Sequence, residues 1–142
     1  MISLSEIEHH ISFFPEAVIC EGASRKYVEH EGVIIYLHPV DPRFGATLEG
    51  TLYSFRRPKG PRGTEAREAG VNYRKPRVLK GHRNYRGDVM ITITPYDKRR
   101  KDNLVNEIFR DRQSPRDKVG FINGDKTDFS SDNMFWSPNG KL

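Results

Sequence analysis

The most informative stretch of the chain runs from residue 119 to residue 136 and reads Val119-Gly120-Phe121-Ile122-Asn123-Gly124-Asp125-Lys126-Thr127-Asp128-Phe129-Ser130-Ser131-Asp132-Asn133-Met134-Phe135-Trp136. Asp125 and Asp128 lie in a Gly-Asp-Lys-Thr-Asp segment, where aspartate side chains favour turns by hydrogen-bonding to nearby backbone. The serine pair at residues 130 and 131 supplies an N-cap and predicts a final short helix. That helix is expected to carry Asn133, Met134 and Trp136.

This stretch resembles the ββα-metal core of phage-type HNH homing endonucleases, in which it reads roughly Val-Asp-His-Ile-Asn-Gly-Asp-Lys-Thr-Asp-Asn-Arg-x-Glu-Asn-Leu-x-Trp. In that family an Asp and a helix-borne Asn hold a metal ion, and the His beside the Asp is the general base. Here Gly120 stands at the Asp position and Phe121 at the His position. Phe129 stands at the middle Asn position, and only the last Asn is kept, as Asn133.

These replacements remove the side chains that metal-assisted cleavage needs. Gly120 offers no side-chain oxygen, and Phe121 cannot accept a proton. Asn133 alone is a poor site for hydrated Mg²⁺, which gives up water reluctantly, so a turn or helix-start hydrogen bond is its expected role. The resemblance therefore implies a nuclease fold that no longer cuts, with no cofactor and no catalytic residue. Phe121 and Phe129 are expected to be added core.

The resemblance extends upstream and covers roughly residues 47 to 138. Lys101–Phe109 looks like the helix that precedes the HNH core, and four of its apolar residues share one helix face. They are Leu104, Val105, Ile108 and Phe109. Residues 47–100 resemble the small DNA-binding module often placed before such cores. We therefore expect an N-terminal extension over residues 1–46, a basic module over 47–100 and a degenerate HNH-like core over 101–142.

The remaining patterns predict an α+β fold of small antiparallel sheets with short helices. A capping-box pattern at Ser5–Glu8 predicts an N-terminal helix that ends at Pro15. Strands are predicted over Gly32–His38 and Asp88–Thr94, and a further strand, bent at Gly50, over Thr47–Phe55. Residues 56–72 are rich in Gly, Pro and Arg and predict a loop.

Positive charge is concentrated in the middle of the chain. The 142 residues carry a net charge of +5. Between Phe55 and Lys101, however, fifteen Lys or Arg residues stand against four acids, a net of +11, so the rest of the chain is net negative. Such a local field attracts a polyanion, and arginine suits phosphate oxygens. A solvated basic surface with flexible loops is the alternative.

The candidate nucleic-acid-binding residues come from this central region and are interleaved with aromatic residues such as Tyr53 and Tyr85. Aromatic rings can pack on sugars or exposed bases. The candidates are Arg56, Arg57, Lys59, Arg74, Lys75, Arg77, Lys80, Arg83 and Arg86. Double-stranded DNA is the expected partner.

Other classes of protein are disfavoured by composition. No apolar run approaches the roughly 18 residues that span a bilayer, and the start of the chain does not read as a secretion signal. A cytoplasmic location is expected, in the host cell if the protein is phage-encoded. The single cysteine, Cys20, excludes an internal disulfide and a zinc-finger set, and is expected to be buried. The histidines lack the spacing of a metal site.

Three functions are open at this point. The first is a catalytically inactive HNH-like regulator that binds DNA through the central module. The second is a phage inhibitor or adaptor that uses the old scaffold and the acidic N-terminal part to bind a host or phage protein. The third is an active endonuclease with a rebuilt Mg²⁺ or Mn²⁺ site. One example of such a site has His82 as the base, with Asp125 and Asn133 as ligands of the same ion.

Overall fold

Three antiparallel β-sheets pack around one α-helix in the part of the chain that the structure describes. This computed structural model describes His9 and residues 11–56, 71–94 and 97–138. Its mixture of antiparallel sheets and a helix confirms the α+β class expected from the sequence. None of the helices in these ranges is long and apolar enough to cross a membrane.

The largest sheet is a six-stranded meander in which consecutive strands are neighbours. Its strands are β1 (Glu16–Val18), β2 (Ser24–His30), β3 (Val33–Leu37), β4 (Phe44–Ala46), β5 (Leu52–Ser54) and β6 (Arg77–Val78). The predicted strand over residues 32–38 is confirmed as β3. The last three residues of β3 are all buried, so this sheet has packing on both faces.

The single bent strand predicted over Thr47–Phe55 is wrong, because the chain reverses direction at Gly50. β4 ends at Ala46, β5 begins at Leu52, and the two strands pair as a hairpin. The Gly50 amide donates to the Thr47 carbonyl at 2.9 Å, and Gly50 has a φ of +93°. A glycine adopts this left-handed conformation without steric cost, and the surrounding apolar alternation does not reveal it.

Two smaller sheets follow in the chain. The second sheet contains β7 (His82–Arg83), β8 (Val89–Thr94) and β9 (Asp97–Arg100), and β8 confirms the strand predicted over residues 88–94. The third is the hairpin of β10 (Lys118–Phe121) and β11 (Met134–Ser137).

The short helix predicted to carry Asn133, Met134 and Trp136 is wrong. A 3₁₀ turn at Ser131–Asn133 leads directly into β11, where Met134 and Trp136 pair with Phe121 and Val119 of β10. Large side chains such as Met-Phe-Trp suit a strand that packs against a neighbour. The helix that packs on this hairpin is the one that precedes it in the chain.

Helix α1 (Lys101–Phe109) confirms the predicted helix and lies at the centre of the main core. All four residues of its predicted apolar face are buried. They pack in one cluster with side chains from all three sheets, including Leu52, Ile91 and Met134. Cys20 is half-buried against this cluster rather than fully buried.

Arg25 of β2 holds the C-terminal end of α1. Its Nε donates to the Ile108 carbonyl at 2.8 Å, and its Nη2 binds Asp111 at 2.6 Å. The carbonyls at a helix end lack intrahelical partners and carry partial negative charge, so a guanidinium there is favourable. The first sheet and α1 are thus joined by a buried polar contact as well as by apolar packing.

Replacing Gly50 with Ala should destabilise this fold. The new Cβ would overlap the Phe129 carbonyl, and the residue would keep its positive φ. Gly22→Ala is a matched control, because Gly22 has a φ of +83° with open space around it. The backbone strain costs roughly 1 kcal/mol in both variants, and only Gly50→Ala adds the overlap. We expect a thermal midpoint several degrees lower for Gly50→Ala, and equal midpoints would contradict the close approach to Phe129.

Candidate nucleic-acid interface

The β10–β11 hairpin carries the four positions at which the resemblance places metal chemistry. Gly120 lies opposite Phe135 in the strand register. The Phe135 ring covers Gly120 so closely that a Cβ at residue 120 would overlap several ring atoms. A carboxylate at this position therefore requires that the Phe135 ring move away.

Phe121 and Phe129 form part of the apolar packing of the hairpin. Their rings meet edge to face, with centroids 6.3 Å apart, a favourable geometry for an aromatic pair. Phe129 is buried in the main core, and half-buried Phe121 packs against that core. The Nζ of Lys101 lies 4.5 Å from the centre of the Phe129 ring, and burial lowers the pKa of Lys101. The expectation of a core residue is confirmed for Phe129, whereas Phe121 lies half-buried at the edge of the core and also lines a cleft.

Asn133 is buried and holds the connection between β10 and β11. Its Nδ2 donates to the Asp128 carbonyl at 2.9 Å, and its Oδ1 accepts a hydrogen bond from the Asn123 amide at 3.0 Å. These bonds are the turn hydrogen bonding predicted for Asn133. The Asn133 carboxamide is thus engaged on both sides by backbone groups.

Asp125 and Asp128 form the side-chain turns predicted for them. Asp125 Oδ1 accepts hydrogen bonds from the Thr127 hydroxyl at 2.6 Å and the Thr127 amide at 2.9 Å. Asp128 Oδ1 accepts hydrogen bonds from the hydroxyl and amide of Ser130. The hydroxyl hydrogen bonds from Thr127 and Ser130 are the main reason why the pKa values of Asp125 and Asp128 are lowered.

The histidines are dispersed rather than clustered. His38 is buried, its Nε2 lies 3.1 Å from Glu107 Oε1, and its Nδ1 accepts hydrogen bonds from the Val40 and Asp41 amides. His10 lies outside the described residues. In the part of the chain that the structure describes, no group of three or more His, Cys, Asp or Glu side chains is arranged to hold a metal ion.

A cleft of about 730 Å³ opens beside Gly120 and Phe121. Five of the residues that line it are basic: Arg100, Arg112, Arg116, Lys118 and Lys126. Acids already bind two of them, since Arg100 lies 2.7 Å from Asp102 and Arg112 lies 3.3 Å from Glu107. The other three are exposed and have no ion pair among the described residues. The cleft therefore presents positive charge to solvent.

A smaller cavity of about 360 Å³ brings the central basic region next to this hairpin. Lys80 lines it together with Lys101 of α1 and Phe129. The charge of Arg83 also lowers the pKa of Asp125, after the hydrogen bonds from Thr127. The connection between β10 and β11 thus lines both cavities, with Gly124 and Lys126 in the cleft and Thr127 and Asp128 in the smaller cavity. We use the name basic face for the exposed bases that line the two cavities together with Arg83: Lys80, Arg83, Arg116, Lys118 and Lys126.

Six of the nine candidate nucleic-acid-binding residues are exposed: Arg74, Lys75, Arg77, Lys80, Arg83 and Arg86. Arg56 is half-buried and donates to the Ile93 carbonyl at 3.2 Å. Arg57 and Lys59 lie outside the described residues. Within the described ranges, none of the six exposed bases forms an ion pair with a carboxylate.

Arginines elsewhere in the described ranges behave differently. Six of them lie within 4 Å of a carboxylate: Arg25, Arg43, Arg99, Arg100, Arg110 and Arg112. Arg25 and Arg110 are also buried and bind backbone carbonyls. The arginines therefore divide into a paired, structural set and an exposed, unpaired set.

Sequence patterns do not reveal Arg116, Lys118 and Lys126 as binding candidates. Residues 102–142 contain six bases and seven acids, so net charge gives no signal there. Only the folded chain shows that these three bases line one cleft.

Comparison with known proteins identifies no relative of this chain. No family model, no curated protein and no solved structure matches it. The interpretation of the basic face therefore rests on its own geometry and charge.

Replacing Asn133 with Ala should destabilise the protein, because the Asp128 carbonyl and the Asn123 amide would lose their buried partner. The expected cost is about 1–3 kcal/mol in the free energy of unfolding, measured in urea. Asp132→Ala is the matched control, since Asp132 is the exposed neighbour, and should stay close to wild type. Equal stability of the two variants would contradict the structural role of Asn133.

Proposed function

We propose that this chain is a catalytically inactive HNH-like protein that binds double-stranded DNA through the exposed bases of residues 74–86 and the basic face. One observation carries the proposal: the bases of residues 74–86 are exposed without carboxylate partners among the described residues, whereas six arginines elsewhere lie within 4 Å of a carboxylate. A protein gains nothing in its own stability from such a cluster, because like charges repel. A polyanion relieves this repulsion.

The position of these bases also favours binding to a duplex backbone. Arg77 lies on β6 and Arg83 on β7, so paired strands hold their backbones in place. Arg77 further donates from Nη2 to the Arg56 carbonyl at 3.2 Å. Side chains on ordered strands lose less freedom on binding than those on a disordered segment. Lys and Arg contacts to phosphates position a protein on DNA and release counterions.

The residues of the hairpin support binding without cleavage. Gly120 is covered by Phe135, Phe121 packs against Phe129, and Asn133 is engaged by backbone groups. Metal-assisted hydrolysis needs oxygen ligands that are free to hold the ion and a base that can activate water. The side chains at these positions supply neither. A protein that occupies DNA without cutting it would act as a regulator.

Replacing both Arg77 and Lys80 with Glu should weaken binding to duplex DNA by about tenfold or more at moderate salt. The slope of log affinity against log salt concentration should also become shallower by about 2, because two phosphate contacts are lost. Gel shift or fluorescence anisotropy at several salt concentrations measures both effects.

Two variants with the same change in net charge show whether Lys80 contacts DNA directly or only adds to the overall positive charge of the protein. Lys80→Glu and Lys26→Glu change the net charge equally, but Lys26 lies on β2 and points toward the Phe14 carbonyl, 3.3 Å from its Nζ. We expect a clear loss of affinity only for Lys80→Glu. Equal affinity of Lys80→Glu and wild type would remove the basic face from the interface.

The absence of cutting is tested with supercoiled plasmid and labelled duplex, incubated with Mg²⁺, with Mn²⁺ and with a chelator. We expect a gel shift in all three conditions and no nicking in any of them. Nicking that depends on the divalent ion would contradict the proposal and point to a rebuilt catalytic site. A protein that neither shifts nor nicks DNA would also contradict it, and would direct attention to a protein partner.

A further inference from the structure

Tyr85 stands out at the tip of the β7–β8 hairpin. It is 89% exposed, more than any other large hydrophobic residue in the described ranges. Tyrosine has a large apolar ring, and leaving that ring in water forgoes the free energy that burial would supply. The hairpin tip is therefore a candidate contact surface, and its neighbours indicate the kind of partner.

The turn that carries Tyr85 is held rigidly. Asn84 Oδ1 accepts hydrogen bonds from the Arg86 amide at 2.9 Å and the Asp88 amide at 3.0 Å. The Asn84 amide donates to the Asp88 carbonyl, and the Gly87 amide donates to the Asn84 carbonyl. A side chain on such a turn pays little conformational entropy on binding, because its backbone is already ordered.

A cation lies beside the Tyr85 ring. The Arg86 guanidinium carbon lies 5.3 Å from the ring centroid, and Arg86 Nε donates to the Tyr85 hydroxyl at 3.0 Å. A cation near an aromatic ring is attracted to it and helps to fix its orientation. Because Tyr85 is 89% exposed, the ring remains available to stack on a planar group.

The positive charge around Tyr85 indicates which kind of planar group it binds. Arg83 and Arg86 flank Tyr85, both are exposed, and neither has a carboxylate partner among the described residues. An apolar peptide surface would leave these two charges to be desolvated without compensation. A nucleobase joined to phosphates supplies a flat ring for the tyrosine and anions for the arginines.

We propose that Tyr85 stacks on an unpaired nucleobase while Arg83 and Arg86 bind the phosphates on either side of it. This inference rests on the proposed function and refines it: the preferred nucleic acid contains a base that is not stacked within an intact duplex. The hairpin tip is the base-contacting element, and the basic face binds the neighbouring backbone.

The test uses three oligonucleotides that each carry 2-aminopurine: a single strand, a duplex with a one-nucleotide bulge at the probe, and an intact duplex. Wild type should bind the first two more tightly than the third and quench the probe in them. Tyr85→Ala should lose about 5- to 100-fold in affinity for the first two and abolish the quenching. Tyr85→Phe should keep most of the affinity, because stacking needs the ring and not the hydroxyl.

Two controls separate stacking from other effects. Val40→Ala removes a side chain that is 79% exposed and lies outside the basic face, and should bind like wild type. The salt dependence of Tyr85→Ala should match that of wild type, because Tyr85 makes no phosphate contact. Thermal midpoints of both variants should equal that of wild type, since neither residue is buried.

The outcomes distinguish this inference from the proposed function. If wild type binds none of the three oligonucleotides, both are overturned. If wild type binds and Tyr85→Ala binds each oligonucleotide as tightly as wild type does, the stacking role is overturned while the proposed function stands. If Tyr85→Ala loses the same factor on the intact duplex as on the bulged duplex, the tip enters a duplex groove and the preference for an unpaired base is wrong.

Discussion

The burial of one face of α1 is the constraint on which the rest of the structure depends. Leu104, Val105, Ile108 and Phe109 are almost completely removed from water, and each of the three sheets contributes side chains to the same cluster. The two smaller sheets cannot form an extensive core by themselves, since two- and three-stranded sheets are marginal without packing against another element. Their relative positions therefore follow from where each contacts the helix.

Polar contacts fix the ends of α1 and supply oxygen partners for several of the arginines. Arg100 precedes the helix and binds Asp102, while Arg25 and Arg110 hold its C-terminal end through carbonyl and carboxamide oxygens. A buried arginine without such partners would be strongly destabilising. The basic face and the hairpin tip carry bases that remain unpaired in the described ranges and that the core does not use.

The same packing also holds the residues of the β10–β11 hairpin in place. Phe135 covers Gly120, Phe129 joins the core, and Asn133 holds the connecting loop through backbone hydrogen bonds. These contacts make the hairpin a rigid support for α1 on one side and for the cleft bases on the other. A surface of this kind suits the recognition of a charged backbone, which needs fixed positions more than reactive groups.

Patterns within short segments determined β3, β8 and α1, because the burial of an element is recorded in the spacing of its own residues. The concentration of bases between residues 55 and 101 was visible in the same way. The turn at Gly50 and the strand at Met134 could not be predicted from short segments. Each depends on a partner distant in the chain: Phe129 for Gly50, and β10 for Met134. Only the tertiary structure separated paired from unpaired arginines and brought Lys80 and Arg83 next to the hairpin, since an ion pair is defined by distance in space and not in sequence.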